Sequence, residues 1–171
     1  MGKELLITKS SIRNRVKEIA AEISADYAEE EPVLIGVLNG VVFFFADLVR
    51  ELNIPLRIDF IRASSYGNSD QSSGKVHFTK DVELMIRGRH VIIVEDIVDT
   101  GLTLRRIVEK LSEKEPASIK TCVLIDKLER REEAIKIDYQ GFRVEKGFLI
   151  GYGLDYDEKY RHLPDIYTLK Q

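Results

Sequence analysis

Residues 90–94 form a short apolar run that opens without a spacer into Glu95-Asp96-Ile97-Val98-Asp99-Thr100-Gly101-Leu102-Thr103, after which Leu104, Ile107, Val108 and Leu111 recur at helical spacing. A continuous apolar run of this length suits a strand buried on both faces of a parallel sheet. The periodicity that follows predicts an amphipathic helix over residues 102–114, stopped by Pro116. A strand feeding a helix in this way points to an α/β fold. It also puts the polar cluster beyond the carboxyl end of a strand, where open α/β sheets hold their ligands.

The rest of the chain repeats the alternation. Ile12, Val16, Ile19 and Ile23 mark a helix over residues 10–27, ended by the acidic turn Glu29-Glu30-Glu31-Pro32. Residues 33–38 read as a second buried strand closed by Asn39-Gly40, residues 41–52 as a buried helix and residues 56–63 as a strand. The stretch 64–74 is too rich in Ser, Gly, Asn and Asp for regular structure, and a loop of that length inside a compact domain reads as a lid. Residues 76–79 and 82–86 are expected to be short strands flanking a turn, and residues 119–125 another strand. Residues 127–134 read as a charged loop or short helix, and residues 148–150 as a last core strand before a Gly/Tyr/Asp-rich tail. There is no internal repeat and no linker, so one domain spanning 1–171 with a central, mostly parallel sheet flanked by helices is expected.

Composition narrows the ligand class. Lys and Arg number 26 against 29 Asp and Glu, a net charge of −3, which lacks the basic excess of a nucleic-acid or anionic-membrane binder. An anionic ligand must therefore be held by local chemistry. Cys122 is the single cysteine, so no intrachain disulfide can form, and His77, His90 and His162 show no zinc-site spacing, which fits a reducing, cytoplasmic setting. The apolar stretch 33–49 is broken by Asn39 and Asp47 and is short for a bilayer, and the N-terminus has no apolar signal core.

The polar cluster has the makings of a phosphate cradle. Gly101, the hydroxyls of Thr100 and Thr103 and the free amide groups of a helix start aim donors and the positive end of the helix dipole at an anion. Glu95 and Asp96 add two carboxylates just upstream, which suit ribose hydroxyls or a Mg²⁺ ion that also touches the ligand. Capping of the helix by Asp99 and Thr100 is the plainer alternative, worth about 1 kcal/mol, but it accounts for only one of the three acids. No G-x-x-x-x-G-K-[ST] loop is present, and Gly151-Tyr152-Gly153 lacks the third glycine of a dinucleotide fingerprint.

Residues 94–103 resemble the phosphoribosyl-pyrophosphate signature of type I phosphoribosyltransferases, and further details resemble the hypoxanthine-guanine phosphoribosyltransferase family of purine salvage. Leu38-Asn39-Gly40 resembles the pyrophosphate loop, Ser65-Tyr66-Gly67 the mobile lid, Lys127 the purine-selecting lysine, and residues 148–156 with Arg161 the wall of the base and pyrophosphate sites. The resemblance implies a core over roughly residues 30–145, a small hood from the N- and C-terminal segments and a lid at about 64–75. It also implies transfer of a phosphoribosyl group from 5-phosphoribosyl-1-pyrophosphate to hypoxanthine or guanine, giving IMP or GMP, with two Mg²⁺ ions in the full complex and a homodimer or homotetramer. An apolar helix start, Val41-Val42-Phe43-Phe44-Phe45, is the expected place for a subunit interface, with core burial the even alternative.

The same resemblance assigns roles. Glu95 and Asp96 would hold the ribose hydroxyls on the Mg²⁺ side. Asp99, Thr100, Gly101, Leu102 and Thr103 would bind the 5′-phosphate, and Asp99 would also be the general base for the purine N7 proton. Leu38, Asn39 and Gly40, with a cis peptide, would meet pyrophosphate together with Ser65, Tyr66, Arg62 and Arg161. Lys127, an obligate donor, would bond the 6-oxo group and reject the 6-amino group of adenine. Phe148 would stack on the purine or serve as a core residue, Leu149 would act through its backbone, and Asp155 would reach a second Mg²⁺. Two positions depart from the family pattern: Asn39 stands where a basic residue is common, and Lys146-Gly147 where Asp-Lys is. A xanthine-preferring enzyme and a phosphoribosyl-pyrophosphate-sensing regulator of the same fold are the alternatives.

Overall fold

The computed structural model describes residues 2–65 and 75–170. In chain order its elements are β1 (Lys3–Ile7), α1 (Lys9–Asp26), β2 (Val33–Leu38), α2 (Val42–Glu51), β3 (Arg57–Ser65), β4 (Val76–Lys80), β5 (His90–Val98), α3 (Leu102–Ser112), β6 (Ser118–Lys127), β7 (Tyr139–Val144), β8 (Phe148–Ile150) and β9 (Ile166–Leu169). Six strands make the central sheet in the order β4-β3-β2-β5-β6-β7, with only the β3–β4 pair antiparallel. The chain leaves β2 toward β3 on one side and later returns to lay β5 on the other. The resulting crevice between the ends of β2 and β5 is the switch point at which such sheets bind ligands.

Alternating residues of the inner strands feed two cores, one on each face. Leu34, Ile92, Val94, Cys122 and Leu124 pack with Ile12, Val16, Ile19 and Ile23 of α1 and Phe44, Phe45 and Leu48 of α2. Val33, Ile35, Val37, Val91, Ile93 and Val123 pack with Leu104, Ile107 and Leu111 of α3. Both faces of the strands are covered, which is why their sequences run apolar without alternation. Thr8 caps α1, its hydroxyl accepting the Ser11 amide at 3.1 Å. At Gly36 a Cβ would lie 2.9 Å from the Phe45 ring, so the glycine lets α2 sit close against β2. Cys122 is wholly buried and burial pushes its thiol far above the usual range. Native protein should therefore resist a thiol reagent such as 5,5′-dithiobis(2-nitrobenzoate) and react with it fully on unfolding, a difference read at 412 nm as about one thiol per chain.

A second, three-stranded antiparallel sheet, β1-β9-β8, joins the two ends of the chain. Residues 148–150 thus form a strand, of this small sheet rather than of the six-stranded one, and its Leu149 belongs to the same buried cluster as α1 and α2. The Gly/Tyr/Asp-rich tail after them contains β9. Residues 82–86 are not a strand: Asp59 accepts the amides of Glu83 and Leu84 at 2.7 and 2.8 Å, and the Asp81 carboxylate accepts the Val82 amide, so side chains take the donors that a ladder would need. The strand expected over 90–94 continues to Val98 and carries Glu95 and Asp96 within it. β7 had no counterpart in the sequence reading, and residues 127–134 hold no helix. Among the described residues, no helix is long and apolar enough to cross a membrane.

Candidate active site

The carboxyl ends of β2, β3, β5 and β6 converge on one rim of the sheet. A crevice of about 220 Å³ on this rim is lined by Ser65, Glu95, Val98, Asp99, Thr100, Gly101 and Thr103, with Arg130 at its edge. The register of β2 with β3 sets Leu38 beside Arg62, and the β3 end delivers Ser65. Tyr66 and Gly67 lie outside the described residues, as does the rest of the expected lid between 66 and 74.

Glu95 and Asp96 are both buried at the end of β5. Asp96 accepts the Ile97 amide at 2.9 Å, and its own amide donates to Glu95 Oε1 at 3.1 Å. Burial raises the proton affinity of both carboxyls, and the neighbouring Asp96 charge raises that of Glu95 further; the charge of Arg161 acts on Asp96 in the opposite direction. The Leu38–Asn39 peptide is cis. Gly40, next in the chain, has no room for a side chain: a Cβ there would lie 2.0 Å from Asp96 Oδ2.

Helix α3 begins at Gly101, whose φ of 88° is left-handed, and no side chain caps it. The capping alternative for Asp99 and Thr100 is thus reduced to one bond, from the Leu102 amide to Thr100 Oγ1 at 3.3 Å. The helix start faces the crevice with its dipole and its hydroxyls, as an anion site requires.

Asp99 stands just past β5. Its Oδ1 is buried without a hydrogen-bond partner among the described residues, and its Oδ2 lies 3.7 Å from Lys127 Nζ and 3.8 Å from an Arg130 guanidinium nitrogen. Lys127, the last residue of β6, is only 7% exposed and does not reach out to solvent. Its ammonium sits between Asp99 and Glu129, the latter at 3.4 Å. Sequence reasoning singled out the lysine but not Glu129, which lies within a charged run that looks like surface.

The far wall comes from the C-terminal segment. Arg161 donates to the Gly153 carbonyl at 2.7 Å and lies 3.3 Å from Asp155 Oδ1, whose partner oxygen accepts the Glu158 amide. Phe148 is 40% exposed and meets Tyr156 edge-to-face with centroids 5.5 Å apart, so it is not a core residue, whereas Leu149 is buried. Gly153, at φ 99°, rests directly on the pyrophosphate-loop candidate: a Cβ on it would lie 1.9 Å from the Gly40 carbonyl oxygen. Gly153→Ala must displace one of the two turns, and it is expected to cost about 1–3 kcal/mol in a urea melt.

Among the described residues, no three acidic, histidine or cysteine side chains converge to hold a metal unaided. Glu95 with Asp96 and, separately, Asp155 offer hard oxygen donors of the kind that hold Mg²⁺ when substrate phosphates and water complete its shell.

An α/β sheet with a crevice beyond the carboxyl ends of its strands, lined by an uncapped helix start beside a buried acidic pair, has the architecture of a nucleotide-handling class. The chain belongs to the phosphoribosyl transferase domain family, whose family model matches residues 4–157. Within it, the chain is similar to the hypoxanthine-guanine phosphoribosyltransferase of Bacillus subtilis, at 45% identity over 168 residues, covering 98% of this chain and 93% of that protein. It is similar to the hypoxanthine-guanine-xanthine phosphoribosyltransferase of Tritrichomonas foetus, at 43% identity over 170 residues, covering 99% of this chain and 92% of that protein. A crystal structure of a hypoxanthine-guanine phosphoribosyltransferase from Bacillus anthracis, with a HEPES molecule in its active site, superposes with a TM-score of 0.93 at 43% identity and 98% coverage of both chains. The family and fold expected from residues 94–103 are therefore those found.

Proposed function

We propose that the chain transfers the 5-phosphoribosyl group of 5-phosphoribosyl-1-pyrophosphate to hypoxanthine or guanine, forming IMP or GMP and releasing pyrophosphate. The observation that carries this reading is the 3.7 Å approach of the Lys127 ammonium to the Asp99 carboxylate, beside an uncapped helix start. A donor-only cation next to an acceptor-only carboxylate complements the 6-oxo group and N7–H of a 6-oxopurine, and it repels the 6-amino group of adenine.

In this reading the Thr100, Gly101, Leu102 and Thr103 amides and hydroxyls hold the 5′-phosphate, and Glu95 and Asp96 orient the ribose hydroxyls. Purine N9 bonds to C1′ as the bond from C1′ to the pyrophosphate oxygen breaks. The N7 proton passes to Asp99, whose Oδ1 has no donor among the described residues to compete for it. Leu38, Asn39, Gly40, Arg62, Ser65 and Arg161 face the leaving pyrophosphate, and Phe148 stacks on the base whose outer edge meets Leu149 and Asp155. Glu95 and Asp96 would hold one Mg²⁺ and Asp155 a second, and such ions would supply positive charge against the pyrophosphate oxygens. We read residues 1–171 as a single cytoplasmic phosphoribosyltransferase domain.

A spectrophotometric panel of hypoxanthine, guanine, xanthine, adenine and uracil, each with 5-phosphoribosyl-1-pyrophosphate and with or without Mg²⁺, tests the assignment. Turnover of the first two bases, dependent on Mg²⁺, is expected. Binding of 5-phosphoribosyl-1-pyrophosphate with no turnover of any base would instead make the protein a regulator of the same fold. Val41, Phe44 and Phe45 are buried and serve the core, while Val42 and Phe43 are exposed at the start of α2 and are the part of that apolar run available to a second subunit. Sedimentation velocity should show a dimer or tetramer, and a monomer at working concentration would exclude it.

A further inference from the structure

We propose that Arg131 is a positioning residue for the transfer: its guanidinium ties the loop that carries Asp99 to the strand end that carries Lys127, and so fixes the spacing of the two groups that face the base. This rests on the reaction proposed above. The ladder between β5 and β6 ends at the pair Val98–Asp126. Asp99 and Lys127 are the next residues on each side, where strand pairing no longer sets their separation.

Arg131 bridges that gap. Its Nε donates to the Asp99 carbonyl at 2.9 Å, and one terminal nitrogen reaches the Lys127 carbonyl at 3.0 Å, the Val98 carbonyl at 3.3 Å and Asp126 Oδ1 at 2.5 Å. The Arg131 amide donates to the Leu128 carbonyl, closing the turn that folds the side chain back over the end of β6. The following residues extend the seam: the amides of Glu132 and Glu133 both donate to the Thr100 carbonyl at 3.0 Å. Gly101 lies so close that a Cβ would be 3.0 Å from the Glu133 carbonyl oxygen. Buried Asp126 neutralises the guanidinium and does not itself line the crevice.

The guanidinium serves the Asp99 carbonyl through Nε and the Lys127 carbonyl through a terminal nitrogen. Lysine has no donor at the Nε position, so its one terminal nitrogen leaves the Asp99 carbonyl unheld. Misplacement of reacting groups by about 1 Å can cost about 10²-fold in rate, so both Arg131→Gln and Arg131→Lys should lower kcat with hypoxanthine by about 10–100-fold. Because the interaction lost acts on the geometry of transfer rather than on initial substrate binding, KM for 5-phosphoribosyl-1-pyrophosphate should stay within about threefold.

The test is steady-state kinetics of full-length wild type and both variants, with thermal melting to fix the folded fraction at the assay temperature. A fall in kcat in folded Arg131→Lys, with KM for 5-phosphoribosyl-1-pyrophosphate held, supports the assignment. Restoration of kcat by lysine to within about threefold of wild type would reduce Arg131 to a generic cation and overturn it. Losses in both variants that follow only the loss of fold would assign Arg131 to stability and overturn it equally. An inactive wild type would strike the proposed reaction itself, whereas an active wild type with undiminished variants would strike only the role of Arg131.

Discussion

Asp99→Asn is expected to lower turnover by roughly 10²–10⁴-fold, the range for loss of a general base. The carboxylate sits one residue past β5, where the turn into α3 faces the end of β6, and its buried Oδ1 accepts no hydrogen bond among the described residues. An amide in the same place keeps the shape but accepts no proton. Folding should be nearly unchanged, because the Asp99 side chain is 30% exposed and its two cationic neighbours, at 3.7 and 3.8 Å, are too distant for strong hydrogen bonds. The check pairs steady-state kcat with a thermal melt. Turnover within about threefold of wild type in a folded Asn variant would remove Asp99 from the proton transfer.

Lys127→Met carries the second large effect. Methionine matches the length and apolar stem of the lysine but has no donor, so the 6-oxo group loses a charge-assisted hydrogen bond worth about 1.5–3 kcal/mol, or about 10–100-fold in kcat/KM for hypoxanthine and guanine. Adenine never gained that bond, so its slow rate should not fall in parallel, and the preference for 6-oxopurines should shrink by a similar factor. Competition assays with hypoxanthine and adenine measure that ratio directly. An unchanged ratio would show that the Lys127 ammonium, although buried, serves only its ion pairs with Asp99 and Glu129.

Sequence alone carried much of this picture, and the parts it missed share a physical cause. The residues 33–38 and the run from His90 were legible as strands because burial on both faces leaves no polar position to disguise them. The strand β5 was read too short because Glu95 and Asp96 break its apolar pattern, and local rules tend to fail at functional sites. β7 contains Gly141 in mid-strand, held there because a Cβ would lie 2.3 Å from the Leu124 carbonyl oxygen, and glycine signals a break rather than a strand. β1 is exposed over four of its five residues and pairs with β9 at the other end of the chain, so neither has a pattern that local reading detects.

The candidate site divides in the same way. Residues 94–103 are contiguous and chemically distinctive, and Lys127 is conspicuous as a charge at the end of an apolar strand. Arg131, by contrast, sits in Leu128-Glu129-Arg130-Arg131-Glu132-Glu133, where any one of five charged positions looks like another. Only the turn that folds its guanidinium onto the carbonyls of Val98, Asp99 and Lys127 separates it from Arg130, whose side chain is mostly exposed. In the sequence Gly153 belongs to an incomplete dinucleotide fingerprint; its contact with Gly40 appears only once the C-terminal segment is placed against the end of β2.

The central claim is a base-specific group transfer, and its most direct test is the product balance of one reaction. Purified protein incubated with hypoxanthine, 5-phosphoribosyl-1-pyrophosphate and Mg²⁺ should yield IMP and pyrophosphate in equal amounts, with neither formed when the base is omitted. Pyrophosphate released without IMP, or no product from folded protein that binds 5-phosphoribosyl-1-pyrophosphate, would contradict it.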